Sequence, residues 1–226
     1  MSETIELKAT DGFVCPAYVA RPVGKPKGAV VVLQEIFGVN AHIRAVADGY
    51  CAQGYLAVAP ATFHRVKRGV ELGYDKPDME AGIALKAAVE ALPVPGAMAD
   101  IQAAIDYAAQ AGKVGLVGYC WGGLLTWRSA CSLNGLSAAV PYYGGGIPDL
   151  INEKPKVPTM CHFGELDKSP SPEKAKEVLA KYPEIQGHFY PGAGHGFNCD
   201  ERGSYNPEAS KLAKQRTLEF LGKQLG

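Results

Sequence analysis

Three continuous apolar runs constrain the fold of this chain more than any other feature of its sequence. Ala29–Leu33, Tyr55–Ala59 and Val114–Gly118 each hold only apolar residues and glycine over the length of a strand. Such runs are typical of strands buried on both faces of a parallel sheet, whereas a half-buried strand alternates polar and apolar residues. A segment with helical spacing of apolar residues, from Asn40 to Gly54, separates the first two runs. The pattern predicts an α/β fold with a mostly parallel sheet and helices on both faces.

The rest of the chain continues this alternation. Apolar segments on either side of Asp11-Gly12 predict a β-hairpin ahead of the parallel strands. Further strands are predicted within Ala138–Tyr143, Val157–Phe163 and Gly187–Tyr190, and further helices within Asp78–Leu92, Ala97–Ala111, Glu173–Lys181 and from Pro207 onward. No repeat or low-complexity linker divides the 226 residues, so we predict one domain over residues 1–226.

Composition excludes several classes of function. The 23 basic and 23 acidic residues give no net charge, which argues against a nucleic-acid partner. No apolar run is long enough to span a bilayer, and the acidic N-terminus lacks a signal peptide's apolar segment, so we expect a cytoplasmic protein. The six cysteines are irregularly spaced without a CxxC pair, which indicates neither a zinc knuckle nor a redox dithiol. We therefore expect no metal and no cofactor.

The segment Gly118–Gly122 connects the third apolar run to a predicted helix and carries the main chemical signal, the pattern G-x-C-x-G. The serine form of this pattern is the nucleophile elbow of α/β-hydrolases. The turn needs glycine two residues before and after the nucleophile, where a side chain would collide with the helix and the neighbouring strand. The N-terminus of a helix also favours a thiolate. We therefore predict that Cys120 is a nucleophile, with a buried structural cysteine as the alternative.

Two later strand ends supply candidate partners in the order nucleophile, acid, base that α/β-hydrolases use. Asp167 follows one predicted strand, and His195 follows the next within a glycine-rich loop. Because the carboxyl ends of parallel strands meet at one edge of a sheet, these side chains are expected near Cys120. Asp167 would orient His195, and His195 would exchange protons with Cys120 and the leaving group. Glu165, two residues before Asp167, is a rival for the acid.

Glu35 lies two residues after the first apolar run, an unusual place for an acidic residue. Between an apolar strand and Ile36-Phe37 it would be partly buried, so it must be paired or protonated. We expect it to be catalytic, with a neighbouring thiol or an arginine such as Arg44 as its partner, and a structural ion pair is the alternative. In this fold the same loop supplies one oxyanion-hole N–H and the residue after the nucleophile supplies the other. Ile36 and Trp121 are therefore the predicted donors.

Three segments together resemble the dienelactone hydrolase, or carboxymethylenebutenolidase, family: Gln34–Asn40, Lys113–Gly123 and Gly192–Phe197. The resemblance covers nearly the whole chain and implies an α/β-hydrolase fold without a lid domain. It also implies a monomeric, cofactor-free enzyme of aromatic-compound degradation that opens a dienelactone ring to give maleylacetate. In the family mechanism so implied, the Cys120 thiol rests neutral near Glu35. Substrate binding then moves the thiol proton to Glu35 while the thiolate pairs with His195.

The sequence departs from the family in its substrate contacts. Family members hold the substrate carboxylate with two arginines, one ahead of the helix that matches Asp78–Leu92 and one four residues after the catalytic histidine. Here that helix has no arginine, and the second position is Cys199. The remaining candidates for substrate contact are Arg202, Arg65, Arg68 and Phe37. Among them, Arg202 is the leading candidate for binding a carboxylate.

The leading prediction is a cysteine hydrolase that acts on a small lactone or ester. One alternative is a broader carboxylesterase or thioesterase on the same scaffold. Another is a non-catalytic binding protein or thiol sensor that retains the elbow and oxidises reversibly at Cys120.

Overall fold

A single eight-stranded sheet organises the chain in the computed structural model, which describes residues 1–226. Its strands are β1 (Ser2–Lys8), β2 (Val14–Ala20), β3 (Ala29–Leu33), β4 (Leu56–Pro60), β5 (Val114–Tyr119), β6 (Leu136–Tyr142), β7 (Met160–Gly164) and β8 (Gln186–Tyr190). Their spatial order is β1-β2-β4-β3-β5-β6-β7-β8. The strands β1 and β2 pair antiparallel, as do β2 and β4, and all other pairs are parallel. The predicted hairpin and the mostly parallel sheet are both confirmed.

Six α-helices follow the strands: α1 (Ala41–Ala52), α2 (Lys76–Glu90), α3 (Ala97–Ala108), α4 (Trp121–Ser132), α5 (Pro172–Lys181) and α6 (Pro207–Leu225). Two short 3₁₀ turns lie at Ala109–Ala111 and Ile147–Leu150. The Asn40 side chain accepts a hydrogen bond from the Ile43 N–H and so caps α1, as its sequence position predicts. The alanine-rich segment after Gly96 ends its α-helix at Ala108, and the 3₁₀ turn continues it to Ala111.

The helices cover the two faces of the sheet. The strands β3 and β5 are buried along their whole length, as continuous apolar runs predict. Ile43 of α1 and Phe220 of α6 belong to a core cluster on one face, while Ile101 of α3 and Trp127 of α4 belong to a cluster on the other. No helix in the structure combines the length and apolarity needed to cross a membrane. This arrangement brings the carboxyl ends of β3, β5, β7 and β8 to the same edge of the sheet, where the predicted catalytic residues lie.

Candidate active site

Cys120 stands at a sharp turn between β5 and α4. Its φ of 56° and ψ of −117° are unusual for a residue with a side chain, and such strain is found where a fold fixes a functional group. A Cβ on Gly118 would overlap the carbonyl oxygen of Gly122 one helical turn away. A Cβ on Gly122 would lie 2.5 Å from the carbonyl oxygens of Leu33 and Gln34 at the end of β3. These contacts are the steric reason for both glycines in the motif.

Cys120, His195 and Asp167 form one chain of hydrogen-bond contacts. The Cys120 Sγ lies 3.0 Å from His195 Nε2, and His195 Nδ1 lies 2.9 Å from Asp167 Oδ2. Asp167 is buried, and its Oδ1 accepts a hydrogen bond of 2.8 Å from the Ser169 N–H, which fixes the carboxylate. Glu165 is exposed to solvent and makes no contact with His195. The acid that reaches the histidine is therefore Asp167.

The environment of His195 favours its charged form. Burial lowers its pKa, but the charge of the Cys120 sulfur and the hydrogen bonds to Asp167 and Cys120 outweigh burial. Together these interactions raise the pKa of His195 to about 10. The ring also packs edge-on against Tyr143, with 5.2 Å between the ring centroids. The arrangement suits a thiolate–imidazolium pair.

Glu35 is buried and forms an ion pair with an arginine. Arg202 Nη1 donates a hydrogen bond of 3.2 Å to Glu35 Oε1, and the carboxylate side chain is only 1% exposed. Arg44 does not reach it, because its Nη1 donates to the Val39 carbonyl and to Glu71, each at 2.7 Å. The partner is therefore an arginine, as we expected, but it is Arg202 and not Arg44. The two residues of the actual pair are 167 positions apart in the chain.

The two predicted oxyanion donors lie beside the nucleophile. Ile36 and Trp121 line the same cavity as Cys120 and His195. Trp121 is the first residue of α4, so its N–H has no partner within the helix. Its indole Nε1–H donates to Glu90 Oε1 at 3.1 Å, and its ring stacks on Phe63, which holds this end of the helix in place.

The cavity above Cys120 has a volume of about 540 Å³, a size typical of small-molecule sites. Sequence reasoning missed four charged residues that line it: Lys86, Glu90, Arg128 and Asp149. Lys86 pairs with Glu90 at 2.8 Å, whereas Arg128 and Asp149 are exposed and belong to none of the ion pairs in the structure. The sequence could have indicated Arg128 as a cavity residue. It lies eight residues after Cys120, on the same face of α4 as Leu124.

None of the four predicted substrate contacts lines this cavity. Arg65 is instead structural, because its Nε donates to the fully buried Asp100 and its Nη1 to Asp11, each at 2.7 Å. Arg68 is exposed on the loop after β4 and lies outside the cavity. The prediction that Arg65 and Arg68 contact the substrate is therefore corrected. Both residues belong to the loop between β4 and α2 and lie outside the cavity.

The predictions that Phe37 and Arg202 contact the substrate are corrected in the same way, because neither residue lines the cavity. Phe37 is buried in the core, and its ring lies 4.6 Å from the ring of Tyr74 between centroids. The Arg202 guanidinium lies 5.6 Å from the centre of the Phe37 ring and is committed to Glu35. Phe37 thus supports Arg202, and Arg202 neutralises the buried Glu35 carboxylate outside the cavity.

Comparison with known proteins identifies the family of the chain. The model of the dienelactone hydrolase family matches residues 15–225 of the chain. The chain belongs to the dienelactone hydrolase family. A carboxymethylenebutenolidase of Pseudomonas putida is 35% identical over 231 residues, which cover 98% of this chain and 96% of that protein.

Solved structures of other proteins have a similar fold. A candidate dienelactone hydrolase from Klebsiella pneumoniae superposes with a TM-score of 0.85 at 27% identity, covering 99% of this chain and 98% of that one. A dienelactone hydrolase-like promiscuous phosphotriesterase from metagenomic libraries has a TM-score of 0.81 at 21% identity, covering 100% and 99%, and shares the fold. As a member of the family, the protein is a carboxylic ester hydrolase with an α/β-hydrolase fold, and it acts on small ester or lactone substrates.

Proposed function

We propose that this member of the dienelactone hydrolase family opens a small lactone through a Cys120–His195–Asp167 triad without a cofactor. The observation that carries the proposal is the pair of contacts that connects Sγ, the imidazole and the buried carboxylate at 3.0 and 2.9 Å. These contacts end in a cavity of suitable size. We also propose that the protein is a monomer, as the family resemblance implies.

The proposed reaction has two halves. The Cys120 thiolate attacks the lactone carbonyl, and the N–H groups of Ile36 and Trp121 stabilise the negative oxygen that forms. The ring C–O bond then breaks, His195 gives its proton to the leaving oxygen, and a thioester to Cys120 remains. His195 next takes a proton from water, the hydroxide attacks the thioester, and the acid product leaves as the thiolate is restored. Asp167 holds the imidazole in the orientation that both halves need.

Glu35 has a proposed part in the resting enzyme. The family resemblance implies a resting state in which the Cys120 thiol is neutral, because a thiolate beside an ionised Glu35 would be repelled. On substrate binding, Glu35 would accept the thiol proton, and the thiolate would pair with His195 in its protonated form. Glu35→Gln should therefore change how the rate of Cys120 alkylation depends on pH, and an unchanged profile would remove Glu35 from this role.

A broader carboxylesterase is the second candidate, because the charges that line the cavity cancel. Lys86 and Arg128 bring two positive charges, while Glu90 and Asp149 bring two negative ones. Glu90 already neutralises Lys86, so Arg128 is left to bind a substrate carboxylate and Asp149 opposes it. A dienelactone carboxylate needs a cation at this site, whereas a neutral ester does not.

A substrate comparison tests the proposal. The wild type should show a higher kcat/KM for a carboxylate-bearing unsaturated lactone than for its methyl ester, because Arg128 favours the anion. Arg128→Gln should lower kcat/KM for the anionic lactone roughly tenfold or more, as expected for a hydrogen bond to a charged group, and leave the methyl ester nearly unchanged. Good turnover of neutral esters with poor turnover of anionic lactones would favour the esterase. Reversible oxidation of Cys120 without any turnover would favour a thiol sensor.

A further inference from the structure

A second cluster of reactive side chains lies outside the cavity above Cys120. A carboxylate oxygen of Glu35, a ring nitrogen of His42 and Sγ of Cys199 lie within 4.8 Å of one another, and all three side chains are buried. They come from the loop after β3, from α1 and from the loop after β8. Three donor atoms of the types that bind zinc are thus brought together by segments far apart in the chain.

Two of these groups are buried without any partner. Glu35 Oε2 and His42 Nε2 make no hydrogen bond, although the residues are only 1% and 4% exposed. A buried acceptor without a partner is costly and calls for an explanation. Arg202 occupies only the other oxygen, Oε1, so Glu35 Oε2 is free to bind a cation.

The contacts of His42 favour a metal ligand. Its Nδ1 lies 3.1 Å from Asp200 Oδ1, so Asp200 holds the Nδ1–H tautomer and leaves the lone pair on Nε2. A histidine whose second ring nitrogen donates to a carboxylate is the usual arrangement around protein-bound zinc. Asp200 is 69% exposed and lines a surface cavity of about 350 Å³ together with His42, which gives a route from solvent.

Cys199 is prepared for the same role. Its thiol is free, the residue is fully buried, and its sulfur lies within 4.8 Å of the Glu35 and His42 donor atoms. A bound divalent cation displaces a thiol proton outright.

We propose that Glu35, His42 and Cys199 form a binding site for a divalent, thiol-preferring cation such as Zn²⁺. The ion would bind Glu35 Oε2, His42 Nε2 and the Cys199 thiolate, with water as a fourth ligand, and the Cys199 proton would pass to solvent. The sequence led us to expect no metal because its cysteines lack a ligand spacing, and this site uses only one of them. Where Glu35 serves as the thiol-proton acceptor, an occupied site would compete with that role. This competition depends on the proposed function, whereas binding of the metal ion to the site does not.

Metal titration of a Cys120→Ala variant tests the site, because this variant removes the catalytic thiol as a competing ligand and needs no turnover. Zn²⁺, added in competition with a chromophoric chelator, should bind at one ion per chain with release of one proton. Co²⁺ should produce a thiolate-to-cobalt charge-transfer band in the near ultraviolet. Cys199→Ser or His42→Gln in the same background should lower Zn²⁺ affinity at least 100-fold and, for Cys199→Ser, abolish the band.

Two further variants make the result decisive. Asp200→Asn alters an exposed residue and should leave the fold intact, yet it should weaken Zn²⁺ binding about 10–100-fold by loosening His42. Cys131→Ser removes a thiol outside the cluster and should change neither affinity nor band. Failure of the Cys120→Ala variant to bind Zn²⁺ would overturn the proposal and favour a buried water at this position. Binding that persists unchanged in His42→Gln and Asp200→Asn would overturn it equally.

Discussion

At the scale of single residues, two hydrogen-bond contacts make Cys120, His195 and Asp167 a single unit, so losing one member should disable the others. We expect His195→Ala to lower kcat by about three to four orders of magnitude and Asp167→Ala by about one order less. The double variant should be hardly slower than His195→Ala. Steady-state kinetics of the three variants on p-nitrophenyl acetate provide the measurement. Losses that simply multiply would show that the residues act independently.

The pair of Glu35 and Arg202 leads to a second prediction at this scale. Removing one partner of a buried ion pair leaves the other charge unpaired, so Arg202→Ala should reduce the free energy of unfolding by about 3–5 kcal/mol. Because Arg202 does not line the cavity, kcat/KM should fall by a similar factor for an anionic lactone and for a neutral ester. Arg68→Ala is the matched control and should change neither quantity, since Arg68 is exposed. A loss confined to the anionic lactone would return Arg202 to the substrate site.

At the scale of secondary-structure elements, the junction of β5 and α4 allows a sharp test. In Gly122→Ala, the new methyl group would meet the carbonyl oxygens at the end of β3, and overpacking of this kind costs roughly 3 kcal/mol. Shifting the elbow should also remove most of the activity. Gly222→Ala in α6 is the control, because no atom lies within 4 Å of the added group, and alanine should stabilise that helix by about 0.5–1 kcal/mol. Urea unfolding of both variants gives the comparison, and equal effects would contradict the steric account.

The elements were largely predictable because their signals are local. Buried parallel strands appear as continuous apolar runs, and the elbow appears as two glycines around Cys120, since sterics of adjacent residues decide both.

The partners of charged residues were not predictable in this way. Glu35 could have paired with the nearby Arg44, but Arg44 turns to Glu71, and Arg202 arrives from the loop after β8. Arg65 likewise pairs with Asp11 and Asp100, which lie 54 and 35 positions away in the chain.

At the scale of the whole molecule, a buried histidine makes stability depend on pH. His162 is fully buried and bonded to Tyr190 and Thr217, and burial, with smaller effects of His188 and Arg216, holds its pKa well below the usual value. Below about pH 6.5 the unfolded chain binds a proton there that the folded chain cannot. Stability is therefore lost as pH falls, with a slope from this residue approaching about 1.4 kcal/mol per pH unit.

Unfolding free energies measured between pH 5 and pH 8 test this linkage. His162→Gln should be less stable than the wild type at pH 8, because it loses packing and hydrogen bonds. Its stability should, however, change less with pH below 6.5. A slope equal to that of the wild type would show that His162 does not contribute to acid sensitivity.

The central claim is that Cys120 carries the chemistry, and one comparison of variants tests it most directly. Turnover of p-nitrophenyl acetate and of a carboxylate-bearing lactone should be measured for Cys120→Ala and for Cys131→Ala, with folding of both confirmed by circular dichroism. We expect the Cys120 variant to lose nearly all activity on both substrates and the Cys131 variant to stay close to the wild type. Near-normal turnover by a folded Cys120→Ala protein would contradict the account.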